Sequence, residues 1–392
     1  MEFFAIGVLI VALGLLIYTY AGYPALLALL SQLRRQPSAE AASADWPLVS
    51  ISVPAYNEET QIRELIKSLL ALDYPRDRLQ ILIVSDASSD GTDDIVREYA
   101  DKGVELLRLE ERGGKTRAEN AAVEHLRGDI VVNTDASIRI RPDALKPLIA
   151  AFQDLGVGCA SGRDVSVGAD ETSGNVGEGG YVGYEMWVRD LETRAGGIIG
   201  ASGCFYAIRP ELHRLPLPGE LSRDFAAALH THEHGFRAVS VPDAVCYVPR
   251  APALRKEYRR KVRTITRGMR TLWHKRALMN PVRHGRFAWK LLSHKVCRWA
   301  LPWAAMAAFV ALGVLAPLHA VAALTFGAGV LLLVLATLGW VMAERPSVPK
   351  VFSIPAYLVA GNLAAAHALV RAVLGGGDAL WEPTRRHVVK AG

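Results

Sequence analysis

The sequence predicts an α/β domain with a parallel sheet, set between apolar terminal segments. Three observations carry that expectation. Short β-rich runs alternate with helical patterns from Pro47 onward, polar loops with carboxylates follow several of those runs, and stretches free of Lys, Arg, Asp and Glu flank the polar middle. Strands that alternate with helices are joined by right-handed crossovers, which gives a parallel sheet covered on both faces.

The elements follow in chain order. Residues Phe3 to Leu33 carry none of the four charged types, a longer run than the roughly 20 apolar residues that cross a bilayer. "SAEA" near residue 40 resembles a signal-peptidase site. "MEFFAIG" lacks a basic start, however, and the apolar run is about twice a usual signal h-region, so a retained membrane helix is expected. Arg34 and Arg35 follow it and place its C-terminal end in the cytoplasm by the positive-inside rule.

"LVSISVP" (48–54) reads as the first strand, followed by a helix with apolar positions Ile62, Leu65, Ile66, Leu69 and Leu70 on one face. "QILIVSD" (80–86), the turn "ASSDGT" and a helix through Ile95, Val96 and Tyr99 come next. "VELLRL", a helix around 115–126 and "DIVVNTD" complete the series. Ligands of such sheets bind outside the carboxyl ends of the strands. The polar residues fall there: Pro54-Ala55-Tyr56-Asn57-Glu58, then Asp86 and Asp90, then Asp135. Asn57 and Asp90 also suit helix caps.

Toward the C-terminus, "RKEYRRKVRTITRGMRTLWHKR" (255–276) holds ten Lys or Arg against one Glu. Headgroup contact is the ordinary reading for most of these residues, with a phosphate-bearing substrate as the functional one; no nucleic-acid partner is expected. Trp299 to Ala343 is free of the four charged types, with Pro317-Leu318-His319 placed to turn a two-helix hairpin, and Val351 to Val370 is a further apolar run. These segments account for the hydrophobic fraction of 51% and the mean hydropathy of +0.18. The expected organisation is a membrane helix at 1–35, an α/β domain at 45–285 that includes a basic interfacial region at 255–285, a membrane region at 297–375 (hairpin 299–343 and segment 351–374), and a polar tail at 376–392. The N-terminus is expected outside and the domain in the cytoplasm. "ERPSVPK" (344–350) and the tail "WEPTRRHVVK" are expected inside, with the last apolar segment re-entrant or interfacial around Pro355 and Asn362.

Cys159, Cys204, Cys246 and Cys297 are widely spaced and fit neither a zinc pattern nor a disulfide framework. His230, His232 and His234 alternate along a helical pattern, so they do not converge on one ion; they read as the exposed part of an amphipathic helix ending at Gly235. No G-x-G-x-x-G or G-x-x-x-x-G-K-[ST] loop is present. "RGGKTRAEN" (112–120) is the nearest glycine-rich loop; Gly113 and Gly114 allow close backbone approach, and Lys115 supplies a charge beside a helix N-terminus.

Taken together, "VSISVPAYNEE", "LIVSDASSDGT", "RGGKTRAEN" and "VVNTDAS" resemble the nucleotide-sugar half of a membrane-bound family 2 glycosyltransferase with a GT-A, Rossmann-like fold. "YEMWVRDLETRAGGIIGASGCFYAIR" (184–209) is similar to the acceptor-side segment, and "SRDF" (222–225) to the motif of the catalytic Asp. Arg260-Lys261-Val262-Arg263-Thr264, 36 positions after Asp224, resembles the Q/R-x-x-R-W motif of cellulose, chitin and poly-N-acetylglucosamine synthase-type enzymes. The resemblance covers about residues 48–275. It departs from the pattern at Asp135-Ala136-Ser137, which offers a metal one carboxylate, at Arg223, and at Thr264 in place of Trp.

The resemblance implies an inverting, metal-dependent transferase in the inner or plasma membrane, multi-pass, acting at the cytoplasmic face. The donor would be a nucleotide sugar, a UDP-sugar by family habit, and the acceptor a polysaccharide or a lipid among membrane lipids. It implies Asp224 as the catalytic base, Asp86 at the uridine, and Asn57, Glu58 and Lys115 around the nucleotide. Arg260 and Arg263 would hold the diphosphate, and Asp135 would bind Mg²⁺ or Mn²⁺. Arg223 is expected to turn toward solvent or acceptor. The alternative enzyme reading is transfer of a single sugar to a polyprenyl phosphate, sphingolipid or hopanoid-type lipid. The non-enzyme reading is a transporter or membrane scaffold with a nucleotide-binding domain.

Overall fold

A computed structural model of the chain describes residues 1–33, 45–167, 176–249, 254–345 and 348–375. Arg34 and Arg35, part of "ERPSVPK", and the polar tail 376–392 lie outside the described residues. The chain divides into two units. A helical unit is built from the residues up to Gln32 and from Leu254 to Leu374, and an α/β unit from Val49 to Val167 and from Gly179 to Pro249.

The helical unit opens with α1 (Glu2–Ile17) and, after a π turn, α2 (Tyr23–Gln32). The α/β unit carries α3 (Ile62–Leu70), α4 (Thr92–Arg97), α5 (Lys115–Ala122), α6 (Leu145–Ala150), α7 (Val176–Arg194, from Gly179 onward in this unit), α8 (Pro210–His213) and α9 (Arg223–Glu233). The chain then returns to the helical unit with α10 (Leu254–His274), α11 (Pro281–Leu291), α12 (Cys297–Leu315), α13 (Ala320–Val341) and α14 (Lys350–Leu374).

The sheet strands are β1 (Val49–Ala55), β2 (Leu79–Ser85), β3 (Val104–Arg108), β4 (Ile130–Thr134), β5 (Arg139–Ile140), β6 (Val157–Val167), β7 (Phe205–Ile208) and β8 (Arg237–Pro249), in the order β3-β2-β1-β4-β7-β6-β8-β5. The first four pair in parallel, as the alternation of strands and helices predicts. Beyond β4 the sheet is mixed: β7 runs antiparallel to β4 and β6, β5 antiparallel to β8, while β6 and β8 are parallel. The chain moves outward from β1 to β3 and then returns to the other side of β1 with β4. That reversal is a topological switch point, the place where an open α/β sheet leaves a crevice for a ligand.

Burial explains the frame. Ile51, Val53, Ile81 and Ile83 are fully buried beneath Ile62, Leu65, Ile66 and Leu69 of α3, while Leu70 is only partly covered. Each such side chain contributes about 1.5–3 kcal/mol by leaving water. At the amino ends of the strands, Ser50 Oγ accepts the N–H of Gly128 at 2.7 Å and donates to Gln80 Oε1 at 2.5 Å. Gln80 Nε2 in turn donates to His125 O at 2.9 Å. This buried clasp links β1, β2 and the turn into β4 on the edge opposite the candidate site.

In the helical unit, Glu2–Gln32, Pro281–Leu315, Ala320–Val341 and Lys350–Leu374 are long and apolar enough to cross a membrane. Residues 316–319 turn α12 into α13. Gly313 and Gly329 lie against Phe326 and Phe309, whose rings stack at 4.8 Å. α14 is one continuous helix through Pro355 and Asn362 rather than a re-entrant break; Asn362 satisfies its amide within the helix, on Leu358 O at 2.9 Å. The basic run forms α10, which packs on α14. Its buried Glu257 accepts from Arg260 at 2.7 and 2.8 Å, Lys261 lies 3.9 Å over the Tyr357 ring, and Tyr258 Oη meets His367 Nδ1 at 3.1 Å.

A Cβ at Gly128 would lie 2.4 Å from Ser50 N and 2.8 Å from Ile130 O. Gly128→Ala is therefore expected to destabilise the α/β unit by about 1–3 kcal/mol through overpacking against backbone. Thermal unfolding checks this, and an unchanged melting temperature contradicts it.

Candidate active site

β1 and β2 are in register to Ala55↔Ser85, and β4 lies alongside β1 with Ser52↔Asn133. The loops bearing Asn57, Asp86 and Asp135 consequently leave one edge of the sheet. Asn57 has φ 51°, and its side-chain oxygen accepts Ser89 N at 2.8 Å while its own N–H reaches Ser88 Oγ at 3.2 Å. It braces the loop after β2 rather than capping α3. Glu58 is buried; its N–H donates to Thr92 Oγ1 and its carbonyl accepts Gln61 N and Ile62 N, each at 2.8 Å. Asp90 is a helix-start residue, accepting Thr92 N at 3.0 Å.

Asp86 is nearly closed to solvent, and its two carboxylate oxygens accept the N–H groups of Gly113 and Gly114 at 2.7 Å each. The grip holds Gly114 at φ 85°, ψ 168°, a conformation open essentially only to glycine. It also starts α5 so that Lys115 faces β4. On the same loop the Arg112 guanidinium stacks 3.8 Å from the centre of the Tyr56 ring.

Lys115 Nζ donates to Asp135 Oδ1 at 2.5 Å, sits 3.5 Å from Gly203 O and lies 3.9 Å from Glu119 Oε1. Burial pulls its pKa down, but Asp135, Glu119 and Asp224 together with the Asp135 hydrogen bond carry it above the ordinary lysine value. Asp135 leads out of β4, and its side chain keeps 27% of its surface exposed. Among the described residues no group of three or more His, Cys, Asp or Glu could hold a metal by itself.

Asp224 lies in the first turn of α9, where Ser222 occupies the N-cap position and donates its hydroxyl to Asp224 Oδ1. Its other oxygen packs on the Gly203 backbone so closely that a Cβ there would come within 2.6 Å. Gly203 thus brings Asp224 and Lys115 to one point. Arg223 departs from the expectation: it is buried and turns inward. Its guanidinium donates to His213 O at 2.7 Å and to Asn120 Oδ1, and its Nε lies 3.8 Å from Glu119 Oε2.

Glu119 is fully buried, and neither of its oxygens has a hydrogen bond. Burial pushes its carboxyl above the ordinary glutamate value, by more than Lys115 and Arg223 pull it down. Glu119, Gly203 and the inward Arg223 were not legible as site residues. A Glu one turn after a Lys reads as a surface pair, and a glycine gives no sign of what its missing side chain admits.

Asp86, Lys115, Asp135 and Asp224 are thus carried by one unit, whereas Arg260 and Arg263 belong to α10 of the helical unit, where Arg260 is engaged by Glu257. Of the histidines, His230 is buried rather than exposed, because the apolar face of α9 turns it inward. None of the four cysteines is in a disulfide.

The sheet order, the switch point and this edge define a GT-A-type α/β domain. Over 94% of this chain and 100% of the other, the structure superimposes with TM-score 0.71 and 24% identity on the mannosyltransferase PcManGT of Pyrobaculum calidifontis, solved in complex with GDP-Man and Mn²⁺. Residues 50–214 match the model of glycosyl transferase family 2. Among curated relatives, the beta-monoglucosyldiacylglycerol synthase of Trichormus variabilis is 32% identical over 157 residues, 39% of this chain and 33% of the relative. An N-acetylglucosaminyltransferase of Mesorhizobium japonicum is 28% identical over 238 residues, 55% of each chain. The chain therefore spans between a third and about half of these relatives' lengths.

His213 gives a test of the site's support. Burial, then Arg223 and Arg214, depress its pKa from 6.5 to about 3, while its Nε2 meets Asn133 Oδ1 at 3.2 Å. The unfolded chain binds this proton first, so the neutral His213 stabilises the fold above pH 6.5, and that contribution is lost as pH falls toward about 3. Melting temperatures across this window are expected to fall more steeply for the parent than for His213→Gln. Parallel curves contradict the assignment.

Proposed function

We propose that the chain is an inverting glycosyltransferase. It transfers a sugar from a nucleoside diphosphate donor to a polysaccharide or lipid acceptor at the cytoplasmic face of the inner or plasma membrane. The observation that carries this reading is the meeting of Lys115, Asp135 and Asp224 at Gly203, on the switch-point edge of a family 2 domain.

Asp86 holds the glycine loop, and that loop with Asn57, Glu58 and the Tyr56–Arg112 stack frames the nucleotide. Lys115 neutralises diphosphate charge at the end of α5. Asp135 fits Mg²⁺ or Mn²⁺ in one specific way: a single partly exposed carboxylate suits a hard ion that arrives already bound to phosphate oxygens. When bound, such an ion offsets charge on the leaving diphosphate.

Asp224 takes the proton of the acceptor hydroxyl as that oxygen forms its bond to the anomeric carbon. The bond to the diphosphate breaks with its electron pair on the leaving oxygen, so the configuration inverts. A positioned base contributes about 10² to 10⁴-fold. The contact of Asp224 with Gly203 and the Ser222 hydroxyl, rather than with backbone N–H groups of α9, supports this role over that of a cap. Arg260 and Arg263 remain the proposed diphosphate ligands from α10.

A second reading of the acceptor is favoured by Thr264, which stands where polymer synthases of the resembled type have Trp: transfer of a single sugar to a polyprenyl phosphate, sphingolipid or hopanoid-type lipid. Product length distinguishes the two.

Asp224→Asn should bind donor nearly as the parent does, melt close to it, and lose at least about a hundredfold in transfer rate. Asp135→Asn should lose donor affinity chiefly when Mg²⁺ or Mn²⁺ is present. Steady-state transfer assays and calorimetric titrations check both; normal turnover by either variant removes that residue from the mechanism.

A further inference from the structure

Two cations and three carboxylates share the buried end of this edge. Lys115 and Arg223 are the cations; Asp135, Asp224 and Glu119 are the anions. Glu119 has no place in the mechanism above, yet it is fully buried, its oxygens lack hydrogen bonds, and each faces one of the two cations at 3.8–3.9 Å. An anion without such partners is strongly disfavoured in a protein interior.

The geometry around Lys115 gives Glu119 a purpose. Lys115 Nζ lies on Asp135 Oδ1 at 2.5 Å, with Glu119 Oε1 3.9 Å away. A divalent ion and the ammonium compete for the charge of one carboxylate, so Asp135 holds the ion more tightly when the ammonium can shift toward another anion within reach. Arg223, tied to His213 O and Asn120, keeps Glu119 in place from behind.

We propose that Glu119 is a positioning residue: it receives Lys115 when a divalent cation takes Asp135, and so keeps the Asp135 carboxylate open to a nucleotide-bound ion. With Glu119 ionised the five groups sum to one negative charge, which favours a cation. With a neutral side chain there the sum is zero, and Lys115 stays on Asp135. The inference rests on the transferase reading through its assignment of Asp135.

The test is nucleotide binding by the full chain in detergent, with UDP and GDP as probes, in EDTA and in Mn²⁺. The quantity read is the gain in affinity that Mn²⁺ confers. In Glu119→Gln this gain should fall about tenfold to a hundredfold, the scale at which groups behind a metal ligand act, while binding in EDTA is not weakened. Glu119→Asp, which keeps the charge, should recover most of the gain. In a Lys115→Gln background the further effect of Glu119→Gln should largely vanish, since no ammonium is left to move.

An unchanged Mn²⁺ gain in Glu119→Gln overturns the proposal. So does an equal loss in the Gln and Asp variants, or a loss that also appears in EDTA, because either ties the position to packing rather than charge. A parent chain that binds neither nucleotide overturns the transferase reading and this inference with it.

Discussion

The ammonium of Lys115 is the constraint around which the α/β unit arranges its polar edge. It sits among three carboxylates from different parts of the chain: Asp135 beyond β4, Glu119 one turn along α5, and Asp224 on α9. Partly buried charges at these distances interact through a medium far less screening than water, so placing any one of them fixes where the others sit. The Asp86 grip on Gly113 and Gly114 is what aims Lys115, because it sets the residue at which α5 begins. Gly203 completes the arrangement by offering backbone where any side chain would collide with Asp224.

This arrangement also explains why the edge tolerates so much charge. Arg223 would be costly to bury alone, and its inward turn is supported by His213 O, Asn120 and Glu119. The helical unit follows the same rule for its own buried carboxylate: Glu257 is covered by Arg260, with Lys261 beside it and the Tyr357 ring beneath that ammonium. A buried anion is kept in each unit where cations of the same helix or a packed neighbour reach it.

Much of this was legible in the sequence for physical reasons. β1, β2 and β4 are rich in Val, Ile and Leu and buried along nearly their whole length because both faces of a central parallel strand are covered, and α3 declares its buried face through Ile62, Leu65, Ile66 and Leu69. The loops of Asn57, Asp86 and Asp135 follow those strands, so their common edge could be read from order alone. The far half of the sheet could not. β5 and β7 are two and four residues long, too short to show a period, and the parallel pairing of β6 with β8 joins segments distant in sequence. Arg223 was misread because sequence shows its neighbour Asp224 but not the partners that approach from α5 and α8. His230 was misread because alternation along a helix does not reveal how wide its buried face is.

The account's central claim is that this edge holds a nucleotide sugar and transfers its sugar. The most direct measurement incubates membranes containing the full chain with a panel of labelled UDP- and GDP-sugars, and follows label into lipid and polymer fractions as well as inversion at the anomeric carbon. The account predicts transfer from at least one donor, with inverted configuration and dependence on Mg²⁺ or Mn²⁺. Folded protein that transfers nothing from any donor, or a product that retains configuration, would contradict it.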